Sequence, residues 1–167
     1  MRKAILLIAL LSLTACAGKG PVAEAVMNPT KGNTASGVFT FAQEGAMVRI
    51  PGTATGLTPG AHGFHIHDKG DCSAPDATSA GGHFNPFGKP HGDPAKPGHH
   101  AGDLPMLVAG ANGSARFEAV MDGITLGDGP GSILKRGLII HAAPDDFTTQ
   151  PTGNSGGRVA CGVILPK

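Results

Sequence analysis

Six of the eight histidines form an ordered series whose residue types could bind metal ions. Asp103 follows the fifth of them at a spacing of three residues. Six imidazoles and a carboxylate are more ligands than one tetrahedral site can use. They suit two neighbouring sites, one with nitrogen ligands only, as copper favours, and one that adds oxygen, which zinc accepts. The six histidines are His65, His67, His83, His91, His100 and His141.

The pair His65 and His67 is the part of this series with the clearest local geometry. Two residues apart on a strand, both side chains point to the same face, with about 7 Å between their Cα atoms. A lone histidine on a strand is more often structural, but two at this spacing can bind one ion. Two histidines, His62 and His99, remain. His62 is expected to face elsewhere because an odd spacing turns it away from His65. His99 could compete with His100 as a ligand, but the spacing of His100 from Asp103 favours His100.

Short strand patterns, separated by Gly, Pro, Asn and Asp, must position these residues. Phe39 and Phe41 share one strand face, and Asn112-Gly113 is a tight-hairpin signal. No helical period extends over three turns. The pattern predicts an all-β fold, an eight-stranded antiparallel Greek-key barrel or sandwich. The predicted strands cover residues 23–28, 37–42, 46–55, 60–67, 103–109, 114–121, 137–141 and 158–165.

Two long segments, residues 68–100 and 142–157, show no strand pattern. Segments of this length are uncommon in a compact domain unless something orders them. Metal ligands and a disulfide would do so, and we therefore expect two long ordered loops.

The chain has 167 residues, enough for one domain with one core. Its formal net charge is +1. Removing the first sixteen residues takes Arg2 and Lys3 from the 13 basic residues and leaves 11 against 12 acidic ones. A nucleic-acid partner usually needs a strong basic excess, so none is implied.

The N-terminus is typical of an export signal. Arg2 and Lys3 precede an apolar run of about ten residues, too short to span a bilayer. Residues 13–16 read LTAC, which resembles a bacterial lipoprotein box with Cys16 as the lipidated residue. Residues 15–17 also fit the small-x-small pattern that precedes an ordinary signal-peptide cleavage site, so cleavage after residue 17 is the alternative. Both alternatives predict an exported, periplasmic protein, and the first adds a membrane anchor on Cys16.

The cysteine count fits export. If Cys16 carries lipid, Cys72 and Cys161 remain, and we expect them to form a disulfide in the oxidising periplasm. The alternative is a pair of buried free thiols.

Six blocks around the histidines closely resemble the copper–zinc superoxide dismutases, of the bacterial exported type. The resemblance covers roughly residues 22–165. It divides the chain into a lipoprotein-type signal peptide (1–16), a tether with the first strand (17–32) and a dismutase domain (22–167). The blocks are GFHIHDKGD at 63–71, GGHFNP at 81–86, HG at 91–92, HAGDL at 100–104, LIIH at 138–141 and GNSGGRVACGVI at 153–164.

The resemblance implies a role for each site residue. Zinc would be bound by His83, His91, His100 and Asp103, and copper by His65, His67, His83 and His141. His83 would bridge the two ions as an imidazolate. Asp145 would accept hydrogen bonds from one copper histidine and one zinc histidine, His65 and His91. Arg158, together with His83, would serve catalysis, as the cation beside the open copper position.

The implied activity is dismutation of superoxide to dioxygen and hydrogen peroxide, by a copper redox centre with a structural zinc. Superoxide is the small anionic partner, a lipid on Cys16 would be the only link to a membrane, and the chain would be a homodimer or monomer. A metal-storage lipoprotein and an adhesive surface lipoprotein are the alternatives, and activity of the copper-loaded protein distinguishes them.

One feature departs from the family pattern. Well-known members carry lysines and glutamates in the loop after the copper histidine, whereas this chain has neither between His141 and Gly157. Steering of superoxide would then rely on Arg158 and on lysines elsewhere, for which Lys69, Lys89 and Lys96 are candidates.

Overall fold

Ten short strands run through residues 20–167, the part of the chain that the computed structural model describes. The predicted signal peptide and Cys16 lie outside the described residues. The strands are β1 (Val22–Pro29), β2 (Ser36–Glu44), β3 (Met47–Thr55), β4 (Gly60–His62), β5 (Phe64–His67), β6 (Leu107–Ala109), β7 (Ala115–Met121), β8 (Gly137–His141), β9 (Arg158–Val163) and β10 (Leu165–Pro166).

The strands form a nearly closed antiparallel barrel, as predicted. Their order is β4-β6-β7-β3-β2-β1-β9-β8-β5, and β10 pairs with β1. The two ends of this path, β4 and β5, are consecutive in the chain. Only one 3-10 turn, Thr78–Ala80, interrupts the all-β character of the described residues, where no helix has the length and apolar character needed to cross a membrane.

The barrel encloses an aliphatic and phenylalanine core. The Phe64 ring lies 4.7 Å from that of Phe39 and 5.0 Å from that of Phe117, centroid to centroid. Gly52 of β3 faces Phe39 so closely that a Cβ there would overlap the ring. Phe41 is also fully buried, so the predicted inward face of β2 is confirmed.

Two predicted strands are each divided in the structure. The predicted strand 60–67 breaks at Gly63, because β4 pairs with β6 whereas β5 pairs with β8 on the other side of the barrel. Gly63 carries the chain between them and has no room for a Cβ beside Ser155. The predicted strand 158–165 breaks at Ile164, whose N–H and C=O bond with Arg136 and Lys135 instead.

The predicted strand 103–109 is wrong over its first half, since β6 begins only at Leu107. Pro105 has no N–H to donate to a ladder. Asp103 instead turns back, and its N–H donates to the carbonyl of His100 at 3.1 Å. This turn places the Asp103 carboxylate beside His83, His91 and His100.

Two long ordered loops leave the barrel, as predicted. The first long loop comprises residues 68–106, between β5 and β6, and the second long loop comprises residues 142–157, between β8 and β9. The disulfide Cys72–Cys161 ties the first long loop to β9, with 5.8 Å between the Cα atoms, which confirms the predicted pairing.

Candidate metal centre

Strand β5 presents His65 and His67 on the face opposite to Phe64 and Ile66, which point into the core. Pairing of β5 with β8 brings His141 beside them, because the N–H of His141 donates to Gly63 at 2.9 Å. The ring centroid of His141 lies 4.9 Å from that of His65 and 5.5 Å from that of His67.

His83 reaches the same place from the first long loop. A short antiparallel contact, with Phe84 N–H donating to Ile66 O at 2.8 Å, lays this segment along β5. The His83 ring then packs 3.9 Å from the His65 ring. The four buried histidines His65, His67, His83 and His141 have ligand atoms within 4.8 Å of one another.

Hydrogen bonds determine which nitrogen each of three histidines presents to this cluster. His67 Nδ1 donates to Gly81 O at 2.8 Å, and His65 Nε2 donates to Asp145 Oδ2 at 2.6 Å. His141 Nδ1 lies 3.3 Å from Gly156 O. The opposite nitrogens therefore face inward, and Nε2 of His67 lies 3.4 Å from Nε2 of His141.

The cluster has the properties of a metal site with nitrogen ligands only. His65 Nδ1 and His83 Nε2 are buried and, among the described residues, have no hydrogen-bond partner. A buried polar atom of this kind is costly unless something binds it. Burial lowers the pKa of His141 to about 3 and that of His83 to about 4, and also lowers that of His67. All three are thus neutral at pH 7, the form that binds metals.

A second cluster lies on the other side of the His83 ring. Asp103 Oδ1 is 2.9 Å from His83 Nδ1, 3.0 Å from His91 Nδ1 and 3.4 Å from His100 Nδ1. Four ligands at zinc bond lengths in a tetrahedron would be about 3.3–3.4 Å apart. The observed spacing fits such a site, which has three nitrogens and one oxygen.

The Asp103 carboxylate is oriented by the backbone around it. Its second oxygen, Oδ2, accepts from the N–H groups of His100 at 3.0 Å and Gly92 at 3.1 Å. Burial would raise the pKa of Asp103, but hydrogen bonds from His100 and His83 outweigh it, and the pKa lies below its usual value. The carboxylate is therefore ionised, as a metal ligand must be.

Asp145 connects the two clusters from the second long loop. Its Oδ2 accepts from His65 and its Oδ1 from His91 Nε2, at 2.9 Å. Gly153 lies directly against this bridge, with a positive φ of 68°. A Cβ there would overlap Asp145 Oδ1 and come within 2.5 Å of His91 Nε2.

Arg158 begins β9, three residues before Cys161 of the disulfide. Its guanidinium donates to Ala77 O at 2.5 Å and to Gly81 O at 2.6 Å. Gly81 O is the same carbonyl that accepts from His67, so the arginine is fixed beside the first cluster. Burial lowers the pKa of Arg158 and nearby Asp76 opposes that shift. A guanidinium keeps its charge at neutral pH all the same.

The other sequence candidates lie apart from the clusters. His62 is buried between the carbonyls of His141 and Thr58, and His99 is bound to the carbonyl of His100, so neither joins a cluster. Of the three exposed lysines, Lys69, Lys89 and Lys96, the first packs its aliphatic part beside Gly81.

Three residues of the centre were missed by sequence reasoning as individual contributors. The Gly81 carbonyl accepts from His67 and Arg158, and Gly153 packs its bare Cα against Asp145. The Gln150 amide bonds the backbone of His91, 59 residues away in the chain. Both glycines lie inside the blocks that resemble the family, and this was the only feature of the sequence that pointed to them. Gln150 lies outside the blocks, so no sequence feature pointed to it.

Comparisons with known proteins agree on one family. Residues 35–164 match the family model described as copper/zinc superoxide dismutase. The chain is 43% identical, over 87% of its length and 76% of the relative, to an extracellular superoxide dismutase [Cu-Zn] of Brugia pahangi. It is 44% identical, over 88% of its length and 97% of the relative, to superoxide dismutase [Cu-Zn] 2 of Brassica juncea.

A solved structure also resembles the whole described fold. It is the crystal structure of the clock protein EA4, which superposes with a TM-score of 0.79 at 40% sequence identity. The match covers 92% of this chain and 99% of that one.

Proposed function

This chain belongs to the copper/zinc superoxide dismutase family, and on that premise we propose which of its residues hold the metals and carry the reaction. The first cluster, facing Arg158, is the copper site, and the second, with its carboxylate, is the zinc site. The proposed copper ligands are His65, His67, His83 and His141, and the proposed zinc ligands are His83, His91, His100 and Asp103.

The enzyme converts two superoxide anions and two protons into dioxygen and hydrogen peroxide. Bound copper supplies the one-electron redox chemistry, and bound zinc supplies fixed charge without redox chemistry.

Arg158 binds the substrate in this proposal. Its guanidinium is held by two carbonyls on one side and is half-exposed, so it offers a fixed positive charge to a small anion entering beside the first cluster. A charge that does not titrate away near neutral pH suits an anionic substrate.

His83 carries a proton to the reduced substrate in this proposal. The atom is Nε2, which is buried among the copper ligands and has no protein partner within the described chain. Asp103 lies against the opposite nitrogen, Nδ1, at 2.9 Å and keeps the ring in place. The ring thus holds or releases a proton at one defined atom, next to the anion held by Arg158.

The observation that carries the proposal is the position of His83 between the two clusters. Its Nδ1 belongs to the zinc group and its Nε2 to the copper group. Both groups fit their metals through the chemistry of their own donors, which are nitrogen only on one side and nitrogen with oxygen on the other.

Metal analysis of His83→Ala tests this assignment. We expect one copper and one zinc per wild-type chain after reconstitution, and weaker binding of both by the variant, with an altered copper spectrum. His99→Ala is the matched control, because its ring lies outside both clusters. A His83→Ala protein with normal content of both metals and an unchanged copper spectrum would refute the bridge.

We propose further that the protein is exported, of the bacterial type, and periplasmic. Support comes from the signal pattern of residues 1–16, from the disulfide, and from the extracellular relative. Residues 17–32 then comprise a tether and β1, residues 22–167 the dismutase domain, and Cys16 the lipid attachment site.

Fractionation of a Cys16→Ser variant tests the anchor. Stable membrane association depends on acyl chains on this residue, so the variant should leave the membrane fraction. If the wild-type protein is already wholly soluble in the periplasm, ordinary signal cleavage is the correct alternative.

A further inference from the structure

The backbone of His91 is held by a single distant side chain. His91 lies in the first long loop, in a stretch that belongs to neither a strand nor a helix. Its N–H donates to Gln150 Oε1 at 2.9 Å, and its C=O accepts from Gln150 Nε2 at 2.9 Å. Gln150 thus bonds both backbone polar groups of His91, as a neighbouring strand would.

The ring of His91 depends on the same loop. Asp145, five residues before Gln150, accepts from His91 Nε2 and leaves Nδ1 to face Asp103. The second long loop therefore supplies the partners of His91 N–H, C=O and Nε2. The orientation of this proposed zinc ligand is determined by a loop that contributes no ligand to the zinc site.

This loop also serves the copper side. Asp145 bonds His65, and the loop ends at Arg158, whose guanidinium is fixed beside His67 through Gly81. Ordering of the loop and binding of an ion at His91 are then linked equilibria. Each must favour the other by the same free energy.

We infer that Gln150 is a positioning residue that couples the zinc site to the second long loop. The inference rests on the proposed role of His91 as a zinc ligand. It assigns to Gln150 two effects, a tighter zinc site and a loop that becomes ordered when zinc is bound.

The chemistry needed at position 150 is that of a carboxamide. It must accept from an N–H and donate to a C=O at the same time, and among side chains of this length only glutamine does both. In Gln150→Glu the shape is kept, but an ionised carboxylate faces the His91 carbonyl with no proton to donate. In Gln150→Ala both bonds are lost.

Zinc affinity of the copper-loaded protein, measured by chelator competition, is the first readout. Loss of a group that orients a metal ligand typically weakens metal binding by about 10–100-fold. We expect a loss in this range for both variants, with Gln150→Glu the weaker binder. Thr152→Ala is the matched control, since among the described residues its hydroxyl makes no hydrogen bond.

Two further readouts separate positioning from a general effect on stability. Cobalt(II) placed in the zinc site should give a shifted visible spectrum in Gln150→Glu, because the His91 ring is reoriented. Amide hydrogen exchange across residues 145–157 should slow on zinc binding in the wild type, and this zinc-induced protection should be absent in both variants.

The outcomes are distinguishable. If both Gln150 variants bind zinc within twofold of Thr152→Ala and keep the zinc-induced protection, the inference is overturned. If instead His91→Ala binds zinc as the wild type does, the ligand assignment itself fails. Exchange in the variants could instead be faster by the same factor with and without zinc. Gln150 would then only stabilise the loop, and the proposed coupling to the zinc site would be overturned.

Discussion

A protein group that accepts a hydrogen bond from one ring nitrogen of a histidine leaves the other nitrogen free to bind a metal. Here Asp145 does this for His65, and Gly81 for His67. These partners determine the tautomer and the ring angle, and so the electronic character of the site. Which histidines gather into the two clusters was predictable from the sequence, because their spacing within the blocks is specific. The choice of nitrogen was not, because it depends on groups from distant loops.

Arg158 gives the sharpest test at the scale of one residue. Reversing its charge should lower the rate with superoxide by about one order of magnitude or more, since the local anion concentration falls and the contact becomes repulsive. Copper and zinc content should stay near normal because arginine is not a ligand. Stopped-flow rates with metal analysis of Arg158→Glu check this.

The control for that variant is Arg116→Glu, which makes the same charge change at an exposed position on β7. The wild-type rate should also fall as salt rises, because added ions screen the attraction. An Arg158→Glu enzyme with full metal content and full activity would remove Arg158 from the reaction.

At the scale of elements, the strands were largely predictable and the loops were not. Alternation of apolar residues identified β2, because Phe39 and Phe41 share the face that is buried in the core. The break at Gly63 was missed because it reflects a change of partner strand, which local pattern does not record. The loop conformations depend on long-range contacts such as Gln150 with His91, 59 residues apart in the chain.

Gly153 tests how the second long loop packs against the proposed zinc site. In Gly153→Ala the added Cβ would overlap Asp145 Oδ1, at a φ of 68° that already disfavours alanine. We expect the bridge from Asp145 to His91 to open and zinc affinity to fall by about 10–100-fold. Chelator competition and a melting curve measure both effects.

A matched glycine in the same loop provides the control. Gly157→Ala adds the same methyl group at a position where nothing lies within 4 Å of the new Cβ and φ is not positive. Equal zinc affinity in Gly153→Ala and Gly157→Ala would mean that the close packing at Gly153 does not support the metal site.

At the scale of the whole molecule, interactions other than the hydrogen bonds between strands hold the first long loop against the barrel. The disulfide joins residues 89 apart in sequence, and closing a loop of that length contributes about 4–5 kcal/mol in the chain-entropy model. It holds the first long loop against β9, which carries Arg158. Metals bound at the proposed sites would hold the same loop further along, through His83, His91 and His100. The disulfide and the bound metals would restrain the same loop. Each is therefore expected to reduce loop motion that the other does not prevent.

The stability of the metal-free protein should depend on pH because several of its histidines are buried in the neutral form. The folded pKa is about 4 for His83 and about 3 for His141, against 6.5 for an unperturbed histidine. Well above pH 6.5 both histidines are neutral in the folded and unfolded states, so they do not change the free energy of unfolding there. Below it the unfolded chain binds protons that the folded chain does not, so the free energy of unfolding falls as pH falls.

Each of the two histidines should lower the free energy of unfolding by about 1.4 kcal/mol per pH unit between roughly pH 6 and pH 4. The carboxylates add to this loss mainly below about pH 4, where the unfolded chain binds protons that the depressed pKa values of Asp103 and Asp145 keep off the folded chain. Thermal unfolding of the metal-free, disulfide-intact protein should therefore show a constant Tm from pH 8 to 7 and a steady decline from pH 6 to 4. A His83→Gln and His141→Gln double variant should decline less steeply, because glutamine does not titrate. A wild-type Tm that stays constant down to pH 4 would mean that these imidazoles are not held neutral by burial.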